Sequence, residues 1–110
     1  MYEIKKGERK VNGVIVETWT AEIVNANILE VEVGTTGYQG GDTGHGGRTY
    51  FRLKDLASTD ITANVIKDKY GDTEEVIIEF GGDCELETFI ESLEIAIKTL
   101  RIQTRNKKTF

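Results

Sequence analysis

Tyr38, Gln39, Asp42, Thr43, His45 and Arg48 stand at short intervals in a run, residues 34 to 48, that carries seven of the chain's twelve glycines. Each side chain suits a different part of a nucleotide-like ligand. Tyr38 and His45 offer flat rings for stacking, and Arg48 is a two-pronged donor for a phosphate. Asp42 and Gln39 can read ribose hydroxyls or a base edge, and Thr43 adds a hydroxyl to the same polar set. The glycines let backbone approach a ligand closely and present successive N–H groups to an anion. A loop of this length without secondary structure of its own is usually functional or disordered. Two readings follow: a ligand-binding loop, or a flexible connection whose polar residues are simply solvated.

Several catalytic chemistries fit these residues poorly. Gly41-Asp42-Thr43-Gly44 resembles the glycine-flanked nucleophile of trypsin-like proteases, but that machinery needs a buried Asp and a His from a second domain. The same Asp-Thr-Gly occurs in aspartic proteases, where a homodimer pairs two carboxylates. There the motif follows an apolar strand directly and is not embedded among glycines. A phosphate-binding P-loop requires a Lys after its glycines, and none follows here. Asp42 and His45 are too few ligands for a structural metal, and no CxxC pair exists for zinc. Cys84, the one cysteine, falls in the first turn of a helix, where a thiolate is stabilised. With no orienting partner near it in sequence, packing behind the helix cap is the better assignment. The expectation is no catalytic residue, no metal and no cofactor.

These residues need a scaffold, and the first eighty positions read as short strands. Tyr2 to Lys10 alternates loosely, with Tyr2 and Ile4 on one face. Asn12-Gly13 between extended runs signals a tight hairpin. From Val14 to Val24, Ile15, Trp19, Ala21 and Ile23 share one face, and Thr18, Thr20 and Glu22 the other. After a turn at Asn25-Ala26-Asn27, Leu29, Val31 and Val33 point inward and Glu30 and Glu32 outward. Residues 49 to 53 set Phe51 and Leu53 opposite Tyr50 and Arg52. Residues 54 to 60 are expected to form a turn or single helical loop. Residues 61 to 67 and 75 to 80 form a last hairpin around Lys69-Tyr70-Gly71-Asp72.

The period then changes. Leu86, Phe89, Ile90, Leu93, Ala96, Ile97 and Leu100 recur at spacings of three and four, one face of a helix over about residues 84 to 103. Asp83 is its expected N-cap, with Glu85 and Glu87 at the positive end of the dipole. Arg101 and Arg105 lie one helical turn apart, so both can reach one anion. The fold class is α+β: an antiparallel sheet of about six strands with one C-terminal amphipathic helix packed on it, in a single domain over residues 1 to 110. Six strands at ~4.8 Å spacing span roughly 25 Å, while a helix is only ~10–12 Å across. Part of the sheet is left uncovered, which predicts a homo-oligomer.

Composition limits the partners. A net charge of −5 over 110 residues argues against nucleic acid, because nonspecific affinity comes from cations on phosphates. Residues 98 to 110 carry Lys98, Arg101, Arg105, Lys107 and Lys108 and no acid. Removing these five from fourteen bases leaves nine against nineteen acids in the first 97 residues. Such a basic end can attract a small anion or a neighbouring acidic subunit, or simply complement a helix C-terminus. No run reaches the ~20 apolar residues of a membrane span, and the N-terminus lacks a signal-peptide core. The expected setting is the cytoplasm, without membrane contact.

The antiparallel sheet, the glycine-rich polar loop and the C-terminal helix with Arg101 and Arg105 together resemble the phage anti-defence sponge proteins, specifically the Thoeris anti-defence type. That family sequesters a cyclic ADP-ribose signal made by a bacterial TIR-domain enzyme. The resemblance implies a homo-oligomer that binds a cyclic nucleotide-like molecule and releases it intact, with Arg101 and Arg105 holding its phosphates, in an infected bacterial cytoplasm if the gene is viral. Two other classes stay open: a structural or regulatory protein-interaction module, and a small hydrolase working as a dimer.

Overall fold

A computed structural model describes residues 3–105 of the chain. Six strands precede one helix: β1 (Ile4–Val11), β2 (Val14–Val24), β3 (Ile28–Thr35), β4 (Thr49–Ala57), β5 (Ile61–Lys67), β6 (Thr73–Phe80) and α1 (Asp83–Arg105). The expectations for Tyr2, Lys107 and Lys108 lie outside the described residues. The α+β class and the antiparallel pairing are as expected, but the strands divide into two sheets. β1 to β4 pair in chain order in one sheet, and β5 and β6 form a separate hairpin.

Local chemistry explains the turns. Asn12 and Gly13 both adopt positive φ, 49° and 82°. That is the geometry of a two-residue turn matching strand twist, and it sets Val11 opposite Val14. β4 continues to Ala57, through residues expected as a turn. Ile28 pairs with Ala57 while Leu29 pairs with Asp55, so Leu56 is the extra residue of a bulge. A bulge shifts side chains between faces and hides a strand from a period-2 reading. At the start of α1 the Leu86 N–H donates to the Gly82 carbonyl at 3.1 Å, which places the cap at Gly82, one residue before Asp83.

The helix lies on β3 and, more narrowly, β2. Ala21, Ile23 and Val31 form the core there, with Leu53 and Ile95 packed against them. The helix face doing this packing is rotated from the expected one, sharing Ala96 with it and leaving Phe89 and Leu100 half-buried. Its buried residues are Thr88, Ser92, Ala96 and Thr99, a stripe of small side chains. Leu86, Ile90, Leu93 and Ile97 are exposed, Leu86 by 54% and Ile97 by 52%. Small residues let the helix sit close to the sheet, and the bulky apolar stripe is turned outward.

The opposite face of the sheet also departs from the alternation. β1 and β4 approach each other across it, so the sheet is strongly curled. Within the curl Val16 and Thr18 are fully buried, and Glu32, expected outward, is 3% exposed. Ile15, expected inward, is 54% exposed near the hairpin end. The Glu32 carboxylate accepts from Arg9 Nη2 at 2.7 Å and Arg9 Nε at 2.8 Å, Thr18 Oγ1 at 2.7 Å and Arg52 Nε at 2.8 Å. Arg52 also pairs with Glu30, and Arg9 lies 5.3 Å from the Tyr50 ring centre. A buried carboxylate is tolerated when charge and lone pairs are both satisfied, as here.

The β5–β6 hairpin stands apart. Register places Ile61, Ala63, Val65, Val76, Ile78 and Phe80 on one face, yet Val65 and Val76 are more than half exposed. Phe80 meets Phe89 of α1 with ring centres 4.5 Å apart. The radius of gyration is 15.4 Å, against ~13 Å for a compact chain of this length. No helix among the described residues is long and apolar enough to cross a membrane.

Candidate functional site

β3 and β4 deliver the glycine-rich loop to one end of the sheet, and the last turns of α1 arrive at the same end. Thr35, the final residue of β3, organises the loop base. Its hydroxyl bonds the Arg48 carbonyl at 3.1 Å and Thr49 Oγ1 at 2.9 Å, and accepts from the Gly37 N–H at 3.1 Å. One residue further along, the Thr36 N–H donates to the Arg48 carbonyl at 3.0 Å and the Arg48 N–H to Thr36 Oγ1 at 2.9 Å. The two limbs pack backbone to backbone, so that a Cβ on Gly47 would collide with the Gly37 carbonyl. This is the close approach that requires glycine.

Between the loop and the helix lies a cleft of about 860 Å³, inside the ~300–1,000 Å³ range of small-molecule sites. Tyr38, Gln39, Gly40 and Gly41 form one wall, with Thr35 and Thr49 at its base. Ile97, Leu100, Arg101, Thr104 and Arg105 form the other. Among the described residues no acid lines this cleft, although the chain as a whole carries −5. Two guanidinium groups, an exposed tyrosine ring and glycine backbone therefore face one another across an apolar helix wall. Such a lining has the donors for an anion and the ring for stacking on a flat group.

The structure thus brings together four of the residues singled out in the sequence: Tyr38, Gln39, Arg101 and Arg105. It does not bring Asp42, Thr43, His45 or Arg48 into that lining. Asp42 organises the loop tip. Its carboxylate accepts from the Gly44 N–H at 2.9 Å and contacts His45 Nδ1 at 3.2 Å. The Gly44 N–H above all, then His45, holds the Asp42 carboxyl below the usual carboxylate range. Arg48 is turned onto its own loop, where Nη1 donates to the Gly46 carbonyl at 2.9 Å and Nη2 to that of Gly44 at 3.3 Å. It acts here as a clasp. His45 lines a second cleft of about 610 Å³ on the other side of the loop, with Glu17, Gln39 and Gln103.

Sequence reasoning missed Thr35 and Gln103. The Gln103 amide accepts from the Thr35 N–H at 2.8 Å and donates to the Glu17 carbonyl at 3.0 Å. No sequence signal marked Gln103, because it lies off the apolar stripe that was expected to face the sheet. It meets the sheet only because Thr88, Ser92, Ala96 and Thr99 are the side that packs there. Cys84 is half-buried in the first turn of α1, at the end of the helix remote from Arg101 and Arg105.

No family model, no curated protein and no solved structure matches the chain.

Proposed function

We propose that the chain is a non-enzymatic binding protein that sequesters a nucleotide-derived signal, a cyclic ADP-ribose isomer, and so blocks TIR-based anti-phage defence. The observation that carries this reading is the acid-free cleft, where Arg101 and Arg105 face the glycine backbone and Tyr38. The arginines hold the diphosphate and Tyr38 stacks on the adenine. Gln39 reads a ribose or base edge. The arginines sit at the negative end of the helix dipole, which opposes phosphate binding. Loop N–H groups supply the compensating donors.

Among the described residues, none in the cleft lining offers a carboxylate, an imidazole or a thiol to act on the ligand. Capture without turnover suits that chemistry, and the resemblance to the Thoeris anti-defence sponges supplies the ligand class.

The working form is a homo-oligomer. Leu86, Ile90, Leu93 and Ile97 on α1 and Val65, Val76 and Ile78 on the hairpin leave a large apolar area exposed, of the kind that marks an interaction surface. The stripe runs into the cleft at Ile97, so a second copy seated on it borders the ligand. The same surface favours one further reading, a protein-interaction module without a small-molecule ligand.

The test is capture. Purified protein is mixed with extract from cells containing an active TIR-domain enzyme, recovered, heated and analysed by mass spectrometry. Intact cyclic ADP-ribose released on heating is the expected result. An empty supernatant favours the interaction module, and a hydrolysed product makes the protein an enzyme.

A further inference from the structure

We infer that Gln103 is the positioning residue of the cleft: its side-chain amide locks the rotation of the C-terminal half of α1 and thereby aims Arg101 and Arg105 at the loop. The inference rests on the proposed binding role for what is being aimed, and on hydrogen-bond geometry for how.

A helix packed on a sheet can roll about its own axis, and what resists rolling is interlocking side chains. α1 has few of these. Its sheet-facing residues Thr88, Ser92, Ala96 and Thr99 are small and form shallow ridges. Polar bonds must fix the roll instead, and among the described residues they occur at the two ends. At the N-terminal end Asn27 Nδ2 donates to Thr88 Oγ1 at 3.0 Å and the Asp60 N–H to Glu85 at 3.2 Å. At the C-terminal end the bonds to the sheet are the two made by Gln103.

Gln103 lies two residues from each arginine, about 200° around the helix at ~100° per residue. When its amide is held by the sheet, Arg101 and Arg105 necessarily point the other way, toward the cleft they line. Its partners are also the right ones. Glu17 belongs to β2, and Thr35 is the residue whose hydroxyl ties Gly37, Arg48 and Thr49 at the loop base. One amide therefore connects the helix wall of the cleft to the residue that sets the loop wall. It occupies the end of the β2–β3 ladder, beyond the last pair at Thr18 and Gly34. There it satisfies an N–H and a carbonyl that the ladder no longer reaches.

The test compares wild type, Gln103→Met, Arg101→Ala and the double variant. Methionine keeps the length and removes both hydrogen bonds. Affinity for cyclic ADP-ribose is measured by calorimetry, and amide hydrogen exchange is followed without ligand. Gln103→Met is expected to weaken binding about tenfold and to speed exchange at Thr35 and at residues 100–105, with residues 86–95 unchanged. In the Arg101→Ala background the same substitution should cost only about threefold, because Arg105 alone is left to be misaimed. An equal loss in both backgrounds, or unchanged binding despite faster exchange at Thr35, would overturn the positioning role. If wild type binds no cyclic ADP-ribose, the binding proposal falls while exchange still decides this one. Localised loosening at 100–105 supports it, and unchanged exchange there refutes it.

Discussion

The curled inner face of the sheet and the outer face of α1 exchange the roles that residue type assigns them. The first carries Arg9, Glu30, Glu32 and Arg52 and is closed, with Glu32 almost wholly buried. The second carries Leu86, Ile90, Leu93 and Ile97 and is open. Charge is buried where the chain can pair it internally, and apolar surface is left exposed where the chain has nothing to lay on it. A periodic pattern tells which residues share a face. Whether that face is covered depends on elements far away in sequence, or on another molecule.

The largest effect is expected on the closed face. Glu32→Gln leaves two guanidinium groups opposed without their shared partner. Removing one member of a fully buried pair costs ~3–5 kcal/mol, and the half-exposed Arg9 lowers that to about 2–3 kcal/mol, read from urea unfolding. The pH dependence has a definite sign. Hydrogen bonds from Arg9 first, against the opposing cost of burial, lower the Glu32 carboxyl from 4.5 to about 2. The folded state therefore binds its proton less readily than the unfolded state does. The stabilisation is complete above about 4.5 and is lost as pH falls toward about 2. Wild type and Glu32→Gln should differ most near pH 6 and converge near pH 2. A constant difference across that range would show that the charge of Glu32 is not what holds the curl.

The loop is expected to behave as a third case, irregular yet internally bonded. Gly47→Ala forces a methyl against the Gly37 carbonyl and should separate the two limbs. Affinity for cyclic ADP-ribose should fall at least tenfold, ~1.4 kcal/mol, as the Tyr38 wall shifts. The melting temperature should move by only a few degrees, because the sheet and helix core are untouched.

On the open face, polar substitution should change assembly more than stability. Leu86→Gln with Ile90→Gln alters two exposed side chains, each worth at most about 0.5 kcal/mol to the isolated chain. Light scattering at micromolar concentration should nevertheless show the mass falling to that of a monomer. A wild-type monomer under the same conditions would remove the second copy from the proposal.

Much of the scaffold was legible, because it is written in short-range chemistry. Asn12-Gly13 dictates its turn, residues 61–80 their hairpin, and the three-and-four spacing a helix. The loop was visible through its glycines and the rings and charges among them. The burial of Glu32 was not legible, since it depends on β1 and β4 meeting across β2 and β3. The orientation of α1 was hidden for the opposite reason. Its apolar stripe is real, but the small residues Thr88, Ser92, Ala96 and Thr99 fit the sheet more closely. In the site, the shared helix face of Arg101 and Arg105 was legible from their spacing. The arrival of Tyr38 and Gln39 opposite them was not, because it depends on loop and helix end meeting at one end of the sheet. Nor was the turning of Arg48 onto carbonyls of its own loop, because any arginine near a glycine run finds free carbonyls that composition cannot reveal.

The smallest effect is expected at Cys84. Cys84→Ser should leave folding within about 0.5 kcal/mol and ligand affinity unchanged, since the thiol lies at the opposite end of α1 from the cleft. Lost binding in that variant would return a nucleophile to consideration.

The most direct test of the cleft is calorimetric titration of wild type, Arg101→Ala and Arg105→Ala with cyclic ADP-ribose isomers. Wild type should bind one of them without consuming it. Each substitution should weaken binding by about 1.5–3 kcal/mol, the value of hydrogen bonds to charged groups, with the melting temperature nearly constant because both side chains are exposed. Undetectable binding of every isomer by wild type, or equal affinity in all three proteins, would contradict the assignment of this cleft.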